Sequence, residues 1–208
     1  MKEQYYDQLL NIHTHGNQKG FHPSMHYNRY EPTPYEALET LFEHYVLKSS
    51  DRIVDFGCGK GRLNFFVHHL FQASAAGIEM DETFYEEALE NKKNYIKKHR
   101  KGMESIHFQC CLAEEYKIDS KDNRFYFFNP FSLQIFMRTI NNILRSVEKK
   151  PREIELILYY APEEYIYFLE NQTAFELKEE IVLPELYENN PYEKFLIYRL
   201  VYGKEWSA

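Results

Sequence analysis

The stretch IVDFGCGKGRLNFF, Ile53 to Phe66, sets three glycines within five residues, with Asp55 just ahead of them and Glu79 about twenty residues beyond. Glycines gathered this way mark backbone that bends sharply or that another group must approach closely. Three chemistries use such a turn. A nucleotide phosphate loop needs GxxxxGK followed by Ser or Thr, for phosphate and magnesium. Here Lys60 is followed by Gly61 and Arg62, so that chemistry fails. A dinucleotide turn needs GxGxxG, its late glycine permitting close helix packing. Here the spacing is Gly57-x-Gly59-x-Gly61, and Arg62 stands in the late glycine's place. The third chemistry has no phosphate. It pairs close backbone with one carboxylate for a cation, Asp55, and another for a ribose, Glu79. Alone, Glu79 fits a dinucleotide as well. A buried acid like Asp55 is costly unless something pairs with it.

These residues need a scaffold that brings them together. DRIVDFG reads as a short buried strand, followed by a helix with Leu63, Phe66, Val67, Leu70 and Phe71 at helical spacing. AAGIEMD is a second strand; residues 83–98 a helix; SIHFQCC and RFYFFNP the third and fourth strands. Residues 132–148 form a helix and EIELILYY a fifth strand, and Pro162 opens a helix to about Gln172. FELKEEIVL and KFLIYRLVY close the chain as two strands with no helix between them. Ahead of all this, PTPYEALETLFEHYV predicts a helix capped by Thr33, with Pro34 at its first position, Glu36 completing a capping box, and Leu38, Leu41, Phe42, Tyr45 and Val46 inward. Strands alternating with helices predict an α/β fold, a parallel sheet with right-handed crossovers. The last two strands predict an antiparallel hairpin at one edge. Ligands of such sheets bind beyond the strands' carboxyl ends, beside the first strand, where the glycines fall.

The combination of Asp55, GxGxG and Glu79 favours S-adenosylmethionine (SAM), which carries an ammonium, a sulfonium and one carboxylate. VDFGCGKGR, GIEMDETFYEEALEN and FFNPF together resemble the class I, Rossmann-like SAM-dependent methyltransferases, over roughly residues 33–208. That resemblance implies a three-layer fold with a seven-stranded, mostly parallel sheet in the order 3-2-1-4-5-7-6 and an antiparallel last strand. By position it implies that Asp55, Gly57, Cys58, Gly59 and Gly61 form the SAM loop, Glu79 binds the ribose and Met80 lies against the adenine. Where the family often has an Asp for the adenine amino group, QCCLAEEY offers none, and the backbone of Leu112 or Ala113 is the implied contact. FFNPF stands where amino-group methyltransferases often carry Asn-Pro-Pro and an aromatic. Asn129 would then border SAM and orient a target nitrogen, with Phe131 against the substrate; the same residues also suit a plain turn. YNRYEPTPY implies a lid placing Tyr27, Tyr30 and Thr33 near the methionine end, with residues 1–32 as an N-terminal extension and 33–208 as the methyltransferase domain. A faint likeness to the non-SET histone lysine methyltransferases links protein lysine as an acceptor.

Composition narrows the partners. The 208 residues carry a net charge of −7, which argues against a nucleic-acid acceptor and favours a small-molecule or protein amine. Cys58, Cys110 and Cys111 form no CxxC pair and suggest a reducing compartment, and Cys110 and Cys111 read as small buried hydrophobes. No signal sequence and no apolar run of membrane length is visible, so a cytoplasmic protein is expected. His13, His15, His22 and His26 match no zinc spacing and read as a polar segment, with no metal expected. The basic run Lys92 to Lys101 reads as a solvated helix face. Two rivals stay open: another SAM-fold chemistry such as aminopropyl transfer, and a SAM-binding module without turnover.

Overall fold

A computed structural model describes residues 2–15, 30–100 and 103–201. Its centre is a seven-stranded sheet ordered β3-β2-β1-β4-β5-β7-β6. The strands are β1 (Arg52–Phe56), β2 (Ser74–Glu79), β3 (Ile106–Cys110), β4 (Arg124–Phe128), β5 (Glu155–Tyr159), β6 (Phe175–Val182) and β7 (Lys194–Leu200). β7 runs antiparallel to both β5 and β6, and the remaining pairs are parallel. This is the three-layer α/β fold the sequence implies.

Alternation along the strands sorts side chains into two cores. Ile53 and Tyr126 enter one, with Leu38, Leu41 and Phe66. Val54, Phe56, Phe125 and Phe127 enter the other, with Phe136, Ile140 and Tyr165. The first layer is built by α1 (Lys2–Leu10), α2 (Tyr35–His44), α3 (Arg62–Phe71) and α4 (Glu82–His99), the second by α5 (Leu133–Lys149) and α6 (Glu163–Gln172). A one-turn helix, α7 (Pro184–Tyr187), sits between β6 and β7, where the sequence predicted bare loop.

Three further expectations are corrected. α2 starts without a side-chain cap, because the Thr33 hydroxyl is bonded to Tyr126 Oη at 2.7 Å. Glu3 of α1 accepts from Tyr35 N instead, at 2.9 Å. Val46 and Leu70 are exposed rather than inward: α2 has already ended before Val46, and Leu70 lies on the outer face of α3. α1 lies in the N-terminal extension, for which the sequence names no element. It packs through Leu10, and Ile12 follows it into the core.

The basic end of α4 is not a bare solvated face. Lys98 Nζ donates to Gln8 O at 2.8 Å and His99 Nε2 lies 3.1 Å from Leu9 O, so this end fastens the end of α1. Lys101 lies outside the described residues. At its other end α4 is capped by Asp81, which accepts from Thr83 N and Phe84 N. No helix among the described residues is long and apolar enough to cross a membrane.

Candidate functional site

A cleft enclosing about 880 Å³, part of it open to solvent, lies beyond the carboxyl ends of β1, β2 and β4. Of the glycine loop, Gly57 and Cys58 line it, while Gly59 and Gly61 lie behind them. Gly57, Gly59 and Gly61 have φ of +80°, +51° and +85°. Gly57 N and Cys58 N both donate to Ile78 O, at 2.8 and 3.1 Å, which folds the loop over the end of β2. Gly59 N donates to Glu79 Oε2 at 2.8 Å, and Asp81 N to Oε1 at 2.9 Å. The Glu79 carboxylate therefore organises the loop before it meets any ligand. Burial pushes it up from the usual range, against the backbone N–H groups of Asp81, Gly59 and Met80.

The space beside each glycine is taken by the protein's own groups. A Cβ on Gly57 would lie 2.9 Å from Pro130 Cβ; on Gly61, 2.5 Å from the Phe108 ring; on Gly59, 2.0 Å from the Tyr30 ring. Gly61 thus serves the packing of α3 on the sheet, the role a late glycine has in the dinucleotide turn.

Asp55 is the penultimate residue of β1, is 5% exposed and lines the cleft. Among the described residues, none hydrogen-bonds or ion-pairs with it. Burial, and then repulsion from Glu79, pushes its pKa up to about 8. An acid held neutral at the end of a core strand is a site prepared for a cation.

The segment 30–33 forms the opposite wall. The Tyr30 ring lies on Gly59 and packs against Phe84 at 4.6 Å, while its hydroxyl donates to Thr14 O at 2.7 Å. Arg62 pins this wall in place. Its guanidinium is 4% exposed and sits 4.3 Å over the Tyr35 ring. Nε donates to Thr14 Oγ1 at 2.8 Å, and Nη1 donates to Thr33 O at 3.0 Å and to Glu3. Asp7 adds a second tie, accepting from Thr14 N, Thr14 Oγ1 and Tyr35 Oη within 2.8 Å. Three separate stretches of chain are thereby fixed to the first turn of α3. The sequence flagged Arg62 only as the residue replacing a late glycine.

The remaining predicted site residues divide. Cys58, Met80, Ala113, Thr33 and Phe131 line the cleft. Leu112 does not; its neighbours Cys111 and Ala113 do. Cys110 is exposed and Cys111 half-buried, so the expectation of two buried thiols is corrected. Cys58 is buried, and burial pushes its thiol up. Asn129 adopts φ +38°, a conformation asparagine tolerates better than most residues. It is not in the cleft wall, although Phe128, Pro130 and Phe131 around it are. Tyr27, His22 and His26 lie outside the described residues. Glu31, Tyr126 and Phe84 line the cleft without having been singled out in the sequence.

Fold and cleft together define a chain with the class I SAM-dependent methyltransferase fold. Its similar solved structures include an RNA methyltransferase from Salinibacter ruber in complex with S-adenosylhomocysteine, at TM-score 0.55 and 17% identity, covering 84% of this chain and 95% of that one. A SAM-dependent methyltransferase from Aquifex aeolicus aligns at TM-score 0.59 and 12% identity, over 82% of this chain and 94% of that one. Phosphoethanolamine N-methyltransferase 1 of Haemonchus contortus, in complex with phosphoethanolamine and S-adenosylhomocysteine, aligns at TM-score 0.61 and 13% identity, over 82% of this chain and 43% of that one. At these identities the likeness is one of fold. No family model matches the chain, and no curated protein matches it.

Proposed function

We propose that this protein is a SAM-dependent methyltransferase acting on a nitrogen of a small molecule or protein. The observation that carries the reading is the Asp55 carboxyl, buried without a partner among the described residues in a cleft at the switch point of this fold. A cofactor with an ammonium group supplies the missing cation. SAM, once bound, contributes a methyl group on a sulfonium that is already a good leaving group.

The residues then take these roles. Asp55 receives the ammonium. The lone pairs that Glu79 keeps after holding Gly59 N and Asp81 N receive the ribose hydroxyls. Met80, Cys111 and Ala113 flank the adenine, with Leu112 offering only backbone. Tyr30 and Thr33, pinned by Arg62, close the methionine end and keep water from the transfer. The segment before residue 33 acts as this lid, and 33–208 as the methyltransferase domain. Asn129 sets the turn that presents Phe128, Pro130 and Phe131 to the acceptor, and its side chain orients the acceptor nitrogen. The protein's contribution is thus orientation and exclusion of water, rather than acid or base strength.

Titration calorimetry tests the cofactor. S-adenosylhomocysteine is expected to bind, with NAD and ATP silent; NAD binding without an S-adenosylhomocysteine signal would overturn the reading. Glu79→Gln removes one oxygen acceptor from the loop and the ribose together. It is expected to cost on the order of 1–3 kcal/mol of S-adenosylhomocysteine binding. An unchanged affinity would show that the ribose is held elsewhere.

Asn129 is tested by Asn129→Gly, because glycine keeps φ +38° without strain. Single-turnover transfer to an acceptor found by radiolabel screening is expected to fall about 10²-fold, while S-adenosylhomocysteine affinity stays put. Transfer at the parental rate would reduce FFNPF to a turn.

A further inference from the structure

The cleft has a second end that the cofactor reading leaves unused. β4 neighbours β1 on the side away from β2, so residues at its carboxyl end lie across Asp55 from Glu79. There the wall consists of Glu31, Pro32, Tyr126, Phe128, Pro130 and Phe131. It is stiffly braced. Phe128 packs on Tyr159 at 4.6 Å, and Tyr160 packs against Tyr192 at 5.4 Å. The Tyr159 hydroxyl is bonded to Glu193. Tyr126 is locked to Thr33, and Phe131 O accepts from Tyr165.

The charges around this end are one-sided. Among the described residues lining the cleft, Glu31, Asp55, Glu79 and Asp81 are acids and Arg62 is the single base. The Arg62 guanidinium is already engaged by Glu3, Thr14 and Thr33. No cation among the described residues pairs with Glu31. A phosphate or carboxylate acceptor would enter beside these acids with no further cation among the described lining residues to meet it. A neutral apolar acceptor would cover Glu31 and leave its charge poorly solvated. A cation is met on both counts, by a carboxylate and by aromatic faces. Asp55 in the same wall, almost fully buried and with no partner among the described residues, is an independent sign that the cleft is built for positive charge.

We infer that the acceptor is a small alkyl or aralkyl amine that enters as its ammonium ion, drawn by Glu31 and held against Tyr126, Phe128 and Phe131. The inference rests on the methyltransferase reading above. Before transfer the ammonium gives one proton to water at the open side of the cleft. The freed lone pair on nitrogen forms the new N–C bond to the methyl carbon as the C–S bond breaks, its electron pair staying on sulfur. The products are the methylated ammonium ion, S-adenosylhomocysteine and the released proton. Glu31 touches the acceptor and sets its charge preference.

The test uses the whole protein loaded with S-adenosylhomocysteine, titrated with matched sets of one skeleton each: benzylamine, 2-phenylethylamine and cyclohexylamine, their neutral N-acetyl derivatives, and the corresponding carboxylates. Phosphoethanolamine and a lysine-containing peptide complete the panel. The ammonium member is expected to bind about tenfold or more tighter than its neutral and anionic partners in at least one set. It should also take radiolabelled methyl from SAM. Glu31→Gln is expected to weaken that ammonium about three- to tenfold, leaving S-adenosylhomocysteine affinity unmoved, as suits one partly solvated charge. The inference is overturned if no set prefers the ammonium, if phosphoethanolamine binds best, if only the peptide accepts methyl, or if Glu31→Gln changes nothing. Failure of S-adenosylhomocysteine itself to bind is a different result, and removes the methyltransferase reading on which this one stands.

Discussion

Asp55→Asn is expected to make the unliganded protein more stable and its ligand complex weaker. In the unfolded chain Asp55 titrates near its ordinary 3.8; in the fold it holds its proton up to about 8. Below both values it is neutral in either state and costs nothing. As pH rises between them, the unfolded chain gives up the proton and the fold does not, so stability falls with rising pH. Asparagine has no such proton to lose. Thermal melts of the two proteins should nearly coincide around pH 4 and separate as pH rises to 8. There the variant is expected to lead by roughly 2 kcal/mol or more, about 5 °C for a chain of this size. Binding should run the other way. If the ammonium of S-adenosylhomocysteine needs the ionised carboxylate, wild-type affinity should climb by more than about tenfold between pH 5.5 and 7.5, as the ligand pulls the proton off. The variant's affinity should be weaker and flat over that range. Coincident melts at every pH would mean that Asp55 is not a buried neutral acid. A flat wild-type affinity would mean that it does not meet the ligand's cation. A gain in stability on removing a functional group is what a strained, ligand-ready site produces.

How much of this was legible in the sequence depended on the range of the forces involved. β1, the glycine loop and α3 are specified locally, by an apolar run, three residues needing positive φ and a helical repeat, and all three were read from the chain. Alternation gave a parallel sheet with right-handed crossovers and an antiparallel edge hairpin, while the sheet order came from the resemblance to the methyltransferases. Asp55 and Glu79 were visible because each sits at a fixed distance from the loop. What escaped was held by contacts remote in sequence. Helix α1 has little apolar pattern; its buried positions are Asp7 and Leu10, and Asp7 is satisfied by Thr14 and Tyr35. Its carboxylate stays below its usual range because the bonds from Thr14, His15 and Tyr35 outweigh the penalty of burial. Thr33 looks like a cap until Tyr126, ninety-three residues away, takes its hydroxyl. Arg62 reads only as the residue standing in a late glycine's place, and only the fold brings Glu3, Thr14 and Thr33 to it. Leu112 was named for the adenine contact by position, but the one-turn 3₁₀ helix Ala113–Glu115 leaves Cys111 and Ala113 in the wall.

Gly59 is where the local and the remote requirements meet, and a side chain there should be more damaging than anywhere else in the loop. Two independent physical reasons support this. The residue sits at φ +51°, where an L side chain carries backbone strain on the order of 1 kcal/mol or more. Its Cβ would also stand 2.0 Å from a ring carbon of Tyr30, and that ring is not a loose end. It is held by Phe84 on one face and by its own bond to Thr14, which Arg62 and Asp7 fix in turn. Relief must therefore come from moving the 30–33 wall or from moving the loop, and the loop cannot shift without loosening Gly59 N from Glu79. Gly59→Ala is expected to lower stability by about 1–3 kcal/mol while leaving cooperative unfolding and the circular dichroism spectrum intact. S-adenosylhomocysteine affinity is expected to fall by about a hundredfold or more, since both the closing wall and the ribose acceptor are displaced together. Gly61→Ala makes the control, because its Cβ meets Phe108 and Phe65 instead of the lid. It should cost comparable stability with a smaller loss of affinity. Equal affinity losses in the two variants would mean that the loop's strain alone matters and that Tyr30 takes no part in closing the site.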